Sequence, residues 1–218
     1  MIVEQVSGSA WAECPNGVES ALHGPGFVKG EALARWANRL VRQQPIEHFP
    51  LKFAAVATDI DRSQPYVITG GDAGEALRAS AAIPGVFLPV RSTGHVLVDG
   101  GVSSLVPVYA ARAMGADVVI AVDIYCHGPQ YASKSSMSIL LRVSQMQSCL
   151  LSRPETSSAD VLIAPAITPA GITDSEARET ARRLGYEAAI AALPAMKVAL
   201  QHHVIVAKPA QSQLAGLE

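Results

Sequence analysis

Residues 95–123 read HVLVDGGVSSLVPVYAARAMGADVVIAVD. An apolar run, His95 to Val98, climbs into Asp99, and Gly100 and Gly101 follow at once. Pro107 suits the first turn of a helix and Gly115 the position just past its end. The run 117–123 then reads as the strongest buried strand in the chain. Strand, helix and strand in this order point to an α/β fold whose sheet is mostly parallel and covered on both sides.

The flanks extend the alternation. Upstream, FAAVA (53–57) is continuously apolar, the mark of a strand covered on both faces, and PYVITGG (65–71) reads as another strand. Asp72 with Glu75 resembles a helix start, and that helix should end near Ile83, before Pro84. Leu33, Trp36, Ala37, Leu40 and Val41 repeat at helical spacing from Glu31. Downstream, residues 137–151 form a helix with Ile139, Val143, Met146 and Leu150 on one face, and DVLIAP (160–165) follows as a strand. Thr173 with Glu176 makes a capping box, backed by the stripe Ala177, Ala181, Leu184 and Ala188. No linker or internal repeat divides the sequence. The expectation is one domain over 1–206 and a loose tail over 207–218.

With 49% hydrophobic and 17% charged residues in 218, the chain has the makings of a large core. A net charge of −2 supplies no basic field for phosphate backbones, so nucleic acid is excluded as a partner. Cys14, Cys126 and Cys149 are odd in number and far apart, with no Cys-x-x-Cys pair. They read as neither a disulfide framework nor a zinc site, which favours a reducing, cytoplasmic compartment. No segment has the ~18 consecutive apolar residues of a membrane span. The first residues lack the basic head and apolar stretch of a signal peptide.

In sheets of this kind ligands gather at the carboxyl ends of strands, where Asp59, Asp99 and Asp123 all fall. The pattern does not rank them. Asp-Gly is also a favoured turn pair, so on the residues alone Asp99 reads first as a turn residue and only second as a base at a strand tip.

The runs AAVATDIDRSQPYVITGGDAGEALRASAAIPGVFLPV (54–90) and LVDGGVSSLVPVYAARAMGADVVIAVDI (97–124) resemble the second half of a bacterial patatin-like phospholipase of the small, cytoplasmic type. The likeness reaches upstream to GFVKGEALARW and downstream to ADVLIAPAITP and GYEAAIAALPAMK. It implies a three-layer α/β/α fold and a serine–aspartate dyad that cleaves lipid acyl esters, with no metal or organic cofactor. It also implies a lipid or acyl-ester substrate and peripheral contact with a membrane. By position, the aspartate that accepts the serine's proton is Asp99, and Gly100 and Gly101 form its motif loop. Those glycines would let backbone approach closely and tolerate positive φ. A carboxylate can serve as base where desolvation raises its proton affinity.

The partner serine of the family lies in Gly-x-Ser-x-Gly, and no serine here has that setting. Ser103 has Gly101 before it but Leu105 after it, and Ser9 has Ser7 and Trp11 at the two glycine positions. GPGFVKG has its glycines at the wrong intervals for an oxyanion loop, a dinucleotide fingerprint or a Walker loop. The expectation is that the opening strand, the oxyanion loop and the nucleophile elbow are missing from this chain. Three departures follow the motif. Ser104 stands where the family carries Asn, Leu105 replaces a common proline, and Arg62–Ser63 replaces Thr-Gly in what reads as a surface turn. IPGVFLP (83–89) reads as ordinary core or as the lining of an acyl groove. The six histidines lack metal-ligand spacing, and His202–His203 reads as a solvated helix end. The rival reading is a non-catalytic remnant or lipid-binding α/β module.

Overall fold

The computed structural model describes residues 28–129, 135–167 and 175–206. Ser9, Cys14, most of the glycine-rich loop, Thr173 of the capping box and the tail 207–218 lie outside them. The chain divides into two compact units, Met1–Leu105 and Val106–Glu218.

The first unit holds α1 (Glu31–Leu40), β1 (Ala55–Asp59), β2 (Gln64–Ile68), α2 (Ala73–Ser80), β3 (Val90–Ser92) and β4 (His95–Asp99). Its sheet has the order β2-β1-β4-β3, and every pairing is antiparallel. The α/β class is as read, but the parallel arrangement is not found here. The connections explain why. Only four residues join β1 to β2, and Thr93–Gly94 joins β3 to β4 with positive φ at both (38° and 79°). Hairpin links of this kind pair neighbours antiparallel, whereas a parallel crossover needs a dozen residues.

β1 is buried at all five positions, as its unbroken apolar run predicts. The small residues Ala73, Ala76 and Ala79 fall three apart along α2 and are all buried, which lets that helix lie close to the sheet. One core cluster joins Ile46, Ala55, Ala73 and Ala76, and a second joins Ala57, Ala79, Val90 and Leu97. Asp72 caps α2 by accepting the Glu75 N–H at 2.7 Å. The helix stops at Ser80, three residues short of the expected end. α1 turns Ala34 and Ala37 inward and leaves Leu40 44% exposed, so its buried face is rotated from the stripe read in the sequence. The two helices meet at Gly74, where an added Cβ would stand 2.2 Å from the Ala34 carbonyl oxygen.

Arg62–Ser63 is more than a surface turn. Arg62 Nη1 donates to Asp59 Oδ2 at 2.8 Å and to the Gly94 carbonyl at 3.0 Å, tying the β1–β2 turn to the β3–β4 turn. His95 Nδ1 meets the same Asp59 oxygen at 2.6 Å, and Asp59 Oδ1 accepts the Asp61 and Arg62 N–H groups. Asp59 is thus a fully enclosed clasp between two hairpins. These bonds, led by His95, lower its pKa from 3.8 to about 2. A depressed folded-state value means its stabilisation is complete above the unfolded value and fades as pH falls from 3.8 toward 2. Urea midpoints should therefore drop through that window, and Asp59→Asn should be less stable at neutral pH with a flatter acid limb. Ser63 holds φ 55°, a left-handed conformation natural to the glycine of the family pattern. Ser63→Gly should raise stability by about 0.5–1 kcal/mol, read as a higher denaturation midpoint at unchanged slope.

The second unit holds α3 (Val108–Ala113), β5 (Ile120–Val122), α4 (Ser136–Ser157), β6 (Val161–Ile163) and α5 (Ser175–Val206). Here β5 and β6 pair in parallel, with α4 as the crossover. Pro107 precedes α3, and Gly115 follows it at φ 91°, as their chemistry predicts. β5 is shorter than the run 117–123 and alternates, burying Ala121 while Ile120 and Val122 stay 42% and 51% exposed. Asp123 accepts the Tyr125 and Cys126 N–H groups and so caps the following loop. On α5 the stripe Ala177, Ala181, Leu184 and Ala188 lies on the more covered side.

Cys126 and Cys149 form a disulfide, which corrects the reading of unpaired thiols. They are 23 residues apart in sequence, but α4 folds back and brings their Cα atoms to 5.5 Å. A second correction concerns α4 itself. Its buried residues are the polar Gln145, Ser148, Ser152 and Glu155, whereas Ile139, Val143, Met146 and Leu150 are 40–51% exposed. The predicted stripe exists but faces outward.

Candidate functional site

Asp99 ends β4, a strand held between β1 and β3 with Asp99 opposite Ala57. Its backbone N–H donates to the Ala82 carbonyl at 2.9 Å. The chain then enters a single 3₁₀ turn, Gly100–Val102, which Asp99 caps through a 2.7 Å bond from Gly101 N–H to Oδ1. Asp99 thus both ends a strand and caps the turn that follows it. Among the described residues no hydrogen bond engages Oδ2.

Burial pushes the Asp99 carboxyl above its ordinary value of 3.8, against the opposing pull of the Gly101 N–H. Withdrawal from water disfavours the charged form, and one N–H donor does not restore what is lost. The result is a half-buried carboxylate, fixed in orientation by one oxygen, with raised affinity for a proton at the other.

Neither motif glycine adopts positive φ, which corrects that part of the expectation. Close approach is what requires them. A Cβ on Gly100 would stand 2.2 Å from the Val56 carbonyl oxygen, and one on Gly101 would stand 2.8 Å from Asp99 Oδ1. The turn is closed further by the Ser103 and Ser104 N–H groups, both donating to the Gly100 carbonyl at 3.1 and 2.8 Å.

Thr58 is the participant that sequence reasoning missed. Its hydroxyl donates to the Asp99 backbone carbonyl at 2.8 Å and accepts from the Ser103 hydroxyl at 2.8 Å. A threonine at 4% exposure in an otherwise apolar strand needs such a partner, and that requirement was the available signal. Ser103 thereby spends its proton on Thr58, and no hydrogen bond joins it to the Asp99 carboxylate among the described residues. The apolar turn that begins at Ala82 adjoins the site through the Asp99 N–H, and it leaves Ile83 and Val86 43% and 37% exposed.

Residues 15–112 match the family model described as patatin-like phospholipase, and this span contains β1 to β4 and the whole Asp99 turn. These residues belong to the patatin-like phospholipase family. An NTE family protein of Mycobacterium tuberculosis is 31% identical over 107 residues, which are 49% of this chain and 30% of that protein. Mouse patatin-like phospholipase domain-containing protein 7 is 37% identical over 109 residues, 49% of this chain and 8% of its own length. A Yarrowia lipolytica protein named lysophospholipase NTE1 is 38% identical over 98 residues, 45% of this chain and 7% of that one. The chain thus spans less than a third of the length of these curated relatives. The patatin-like match includes the first unit's entire sheet, while most of the second unit falls outside it. Among the described residues no group of His, Cys, Asp or Glu is placed to hold a metal ion. No helix there is long and apolar enough to cross a membrane.

Proposed function

We propose that this chain contributes the general base of a patatin-like lipid acyl hydrolase, with Asp99 as the residue that takes a proton from an attacking serine. The observation that carries it is the Asp99 carboxylate itself. One oxygen is pinned by Gly101 N–H, the other has no hydrogen bond among the described residues, and burial raises its proton affinity. A serine hydroxyl becomes an effective nucleophile when such a base lies within hydrogen-bond reach. Attack on an ester carbonyl forms the acyl–serine bond, passes the hydroxyl proton to Asp99, and releases the alcohol on collapse. Return of the proton completes the leaving group, and water repeats the sequence to free the acid.

The name of the Yarrowia relative supports a lysophospholipid or similar acyl ester as substrate. Ile83 and Val86, exposed on the turn that starts beside Asp99, are suited to receive the acyl chain. No Gly-x-Ser-x-Gly occurs in the 218 residues, so the nucleophile in this proposal comes from another segment or chain. A fluorophosphonate probe tests that division of labour. The 218-residue chain alone should remain unlabelled, while the native polypeptide or complex that carries it should be labelled at an elbow serine. Labelling of Ser103 in the isolated chain would overturn the assignment.

A further inference from the structure

Gly100 and Gly101 make the Asp99 turn possible and also loosen it. Packing against the Val56 carbonyl, 2.2 Å from where a Cβ would stand, excludes a side chain at Gly100. Two glycines in succession, however, leave the backbone its greatest conformational freedom. Gly101 N–H must nevertheless stay aimed at Asp99 Oδ1, because that 2.7 Å bond orients the carboxylate. A group outside the turn has to hold it.

β1 supplies that group. Thr58 Oγ1 donates to the Asp99 carbonyl at 2.8 Å and accepts from Ser103 Oγ at 2.8 Å. The first bond fixes the plane of the Asp99–Gly100 peptide, and the second holds the residue just past the turn Gly100–Val102. One oxygen gathers both ends. It is itself firmly placed, since β1 lies between β2 and β4 and is buried along its whole length. For packing alone threonine is a poor choice here. Valine has nearly the same shape, is favoured in a buried strand and brings no hydroxyl to desolvate. The hydroxyl is explained by what it holds.

We infer that Thr58 is a positioning residue for the Asp99 base: its hydroxyl holds both ends of the Gly100–Val102 turn on β1 and so fixes the carboxylate that receives the proton. The inference rests on the reading of Asp99 as base. Thr58 acts through Asp99, so its loss should slow the chemical step and leave substrate affinity alone.

The test compares Thr58→Val, Thr58→Ser and Ser103→Ala. In the 218-residue chain the readout is ¹³C-carboxyl and ¹H–¹⁵N NMR, which needs no nucleophile. In the native polypeptide it is turnover of a p-nitrophenyl ester. The wild-type Gly101 amide signal should move with pH in step with the Asp99 carboxyl. Thr58→Val, with unchanged far-UV circular dichroism, should lose that linked movement. Its carboxyl midpoint should fall toward 3.8, because burial is the larger influence on Asp99 and a released side chain regains water. In the native polypeptide kcat should fall about tenfold with KM unchanged. Thr58→Ser keeps the hydroxyl and should restore all three readings. Ser103→Ala keeps the Thr58–Asp99 bond and should weaken the linked movement without abolishing it.

Wild-type Asp99 and Gly101 signals in folded Thr58→Val would overturn the inference and assign the hydroxyl to the fold alone. Failure of Thr58→Ser to restore them would overturn it as well. Should Thr58→Val not fold, Ser103→Ala decides, and an unchanged linked movement there counts against the inference. Absence of turnover in the native polypeptide, beside the expected NMR changes, would tell against the hydrolase reading and leave the hold on the carboxylate supported.

Discussion

Asp99→Asn should lower ester hydrolysis by the native polypeptide about 10²–10⁴-fold while leaving the fold intact and, at neutral pH, no less stable. The carboxamide oxygen can still accept the Gly101 N–H that Oδ1 accepts at 2.7 Å, so the 3₁₀ turn keeps its cap. What is lost is the capacity to take a proton at the other oxygen. The stability half follows from the sign of the shift. A carboxyl whose folded-state value is raised stabilises the fold most when protonated, and that contribution is lost as pH rises through the folded value. At pH 7 the wild-type chain therefore bears the cost of an ionised, half-buried carboxylate, which asparagine removes. Thermal melts at pH 7 and at pH 3, beside turnover of a p-nitrophenyl ester, check both halves. A variant that retained turnover would remove Asp99 from the chemistry. One that lost turnover and unfolded would make it a structural residue.

Gly100→Ala should be strongly damaging to the first unit. The new Cβ would lie 2.2 Å from the Val56 carbonyl oxygen and 3.0 Å from its carbon, so backbone and not a flexible side chain would have to move. Overpacking of this kind costs about 1–3 kcal/mol, and here it pushes apart β1 and the turn that positions Asp99. Both stability and hydrolysis should fall together. Gly101→Ala makes a useful contrast, because its Cβ would meet Asp99 Oδ1 at 2.8 Å and the Leu105 side chain at 3.0 Å. That substitution should disturb the carboxylate more than the fold, lowering turnover with a smaller shift in the denaturation midpoint. Equal denaturation curves for Gly100→Ala and wild type would show that the turn is not packed as described.

Local chemistry was legible where it was self-contained. HVLVD is β4 to the residue, Asp72 is the cap of α2, and Pro107 and Gly115 bracket α3. Each is decided within a few neighbours. Strand direction was not legible, because alternation of strands and helices says nothing of a hairpin whose turn, Thr93–Gly94, carries one glycine and no Asn-Gly pair. Helix faces failed for a related reason. The periodicity of α4 locates an apolar stripe but not which side meets the protein, and there the Cys126–Cys149 bond and Gln145 decide it.

The candidate site was legible in its acid and not in its supports. Asp99 shared its place at a strand end with Asp59 and Asp123, and the family resemblance singled it out and gave it a role. Its partners Thr58 and Ala82 are 41 and 17 residues away in sequence, and only pairing of β4 with β1 and closure of the turn after α2 bring them in. Arg62 was misread for the same reason, since the Gly94 carbonyl that it reaches belongs to another hairpin.

The most direct measurement is a ¹³C-carboxyl NMR titration of Asp99 in the folded chain, assigned by comparison with Asp99→Asn. A base held ready at a strand tip titrates above the ordinary 3.8, and that is the expected result. A midpoint below 3.8 would show a carboxylate committed to capping its own turn, with no proton affinity to offer a serine.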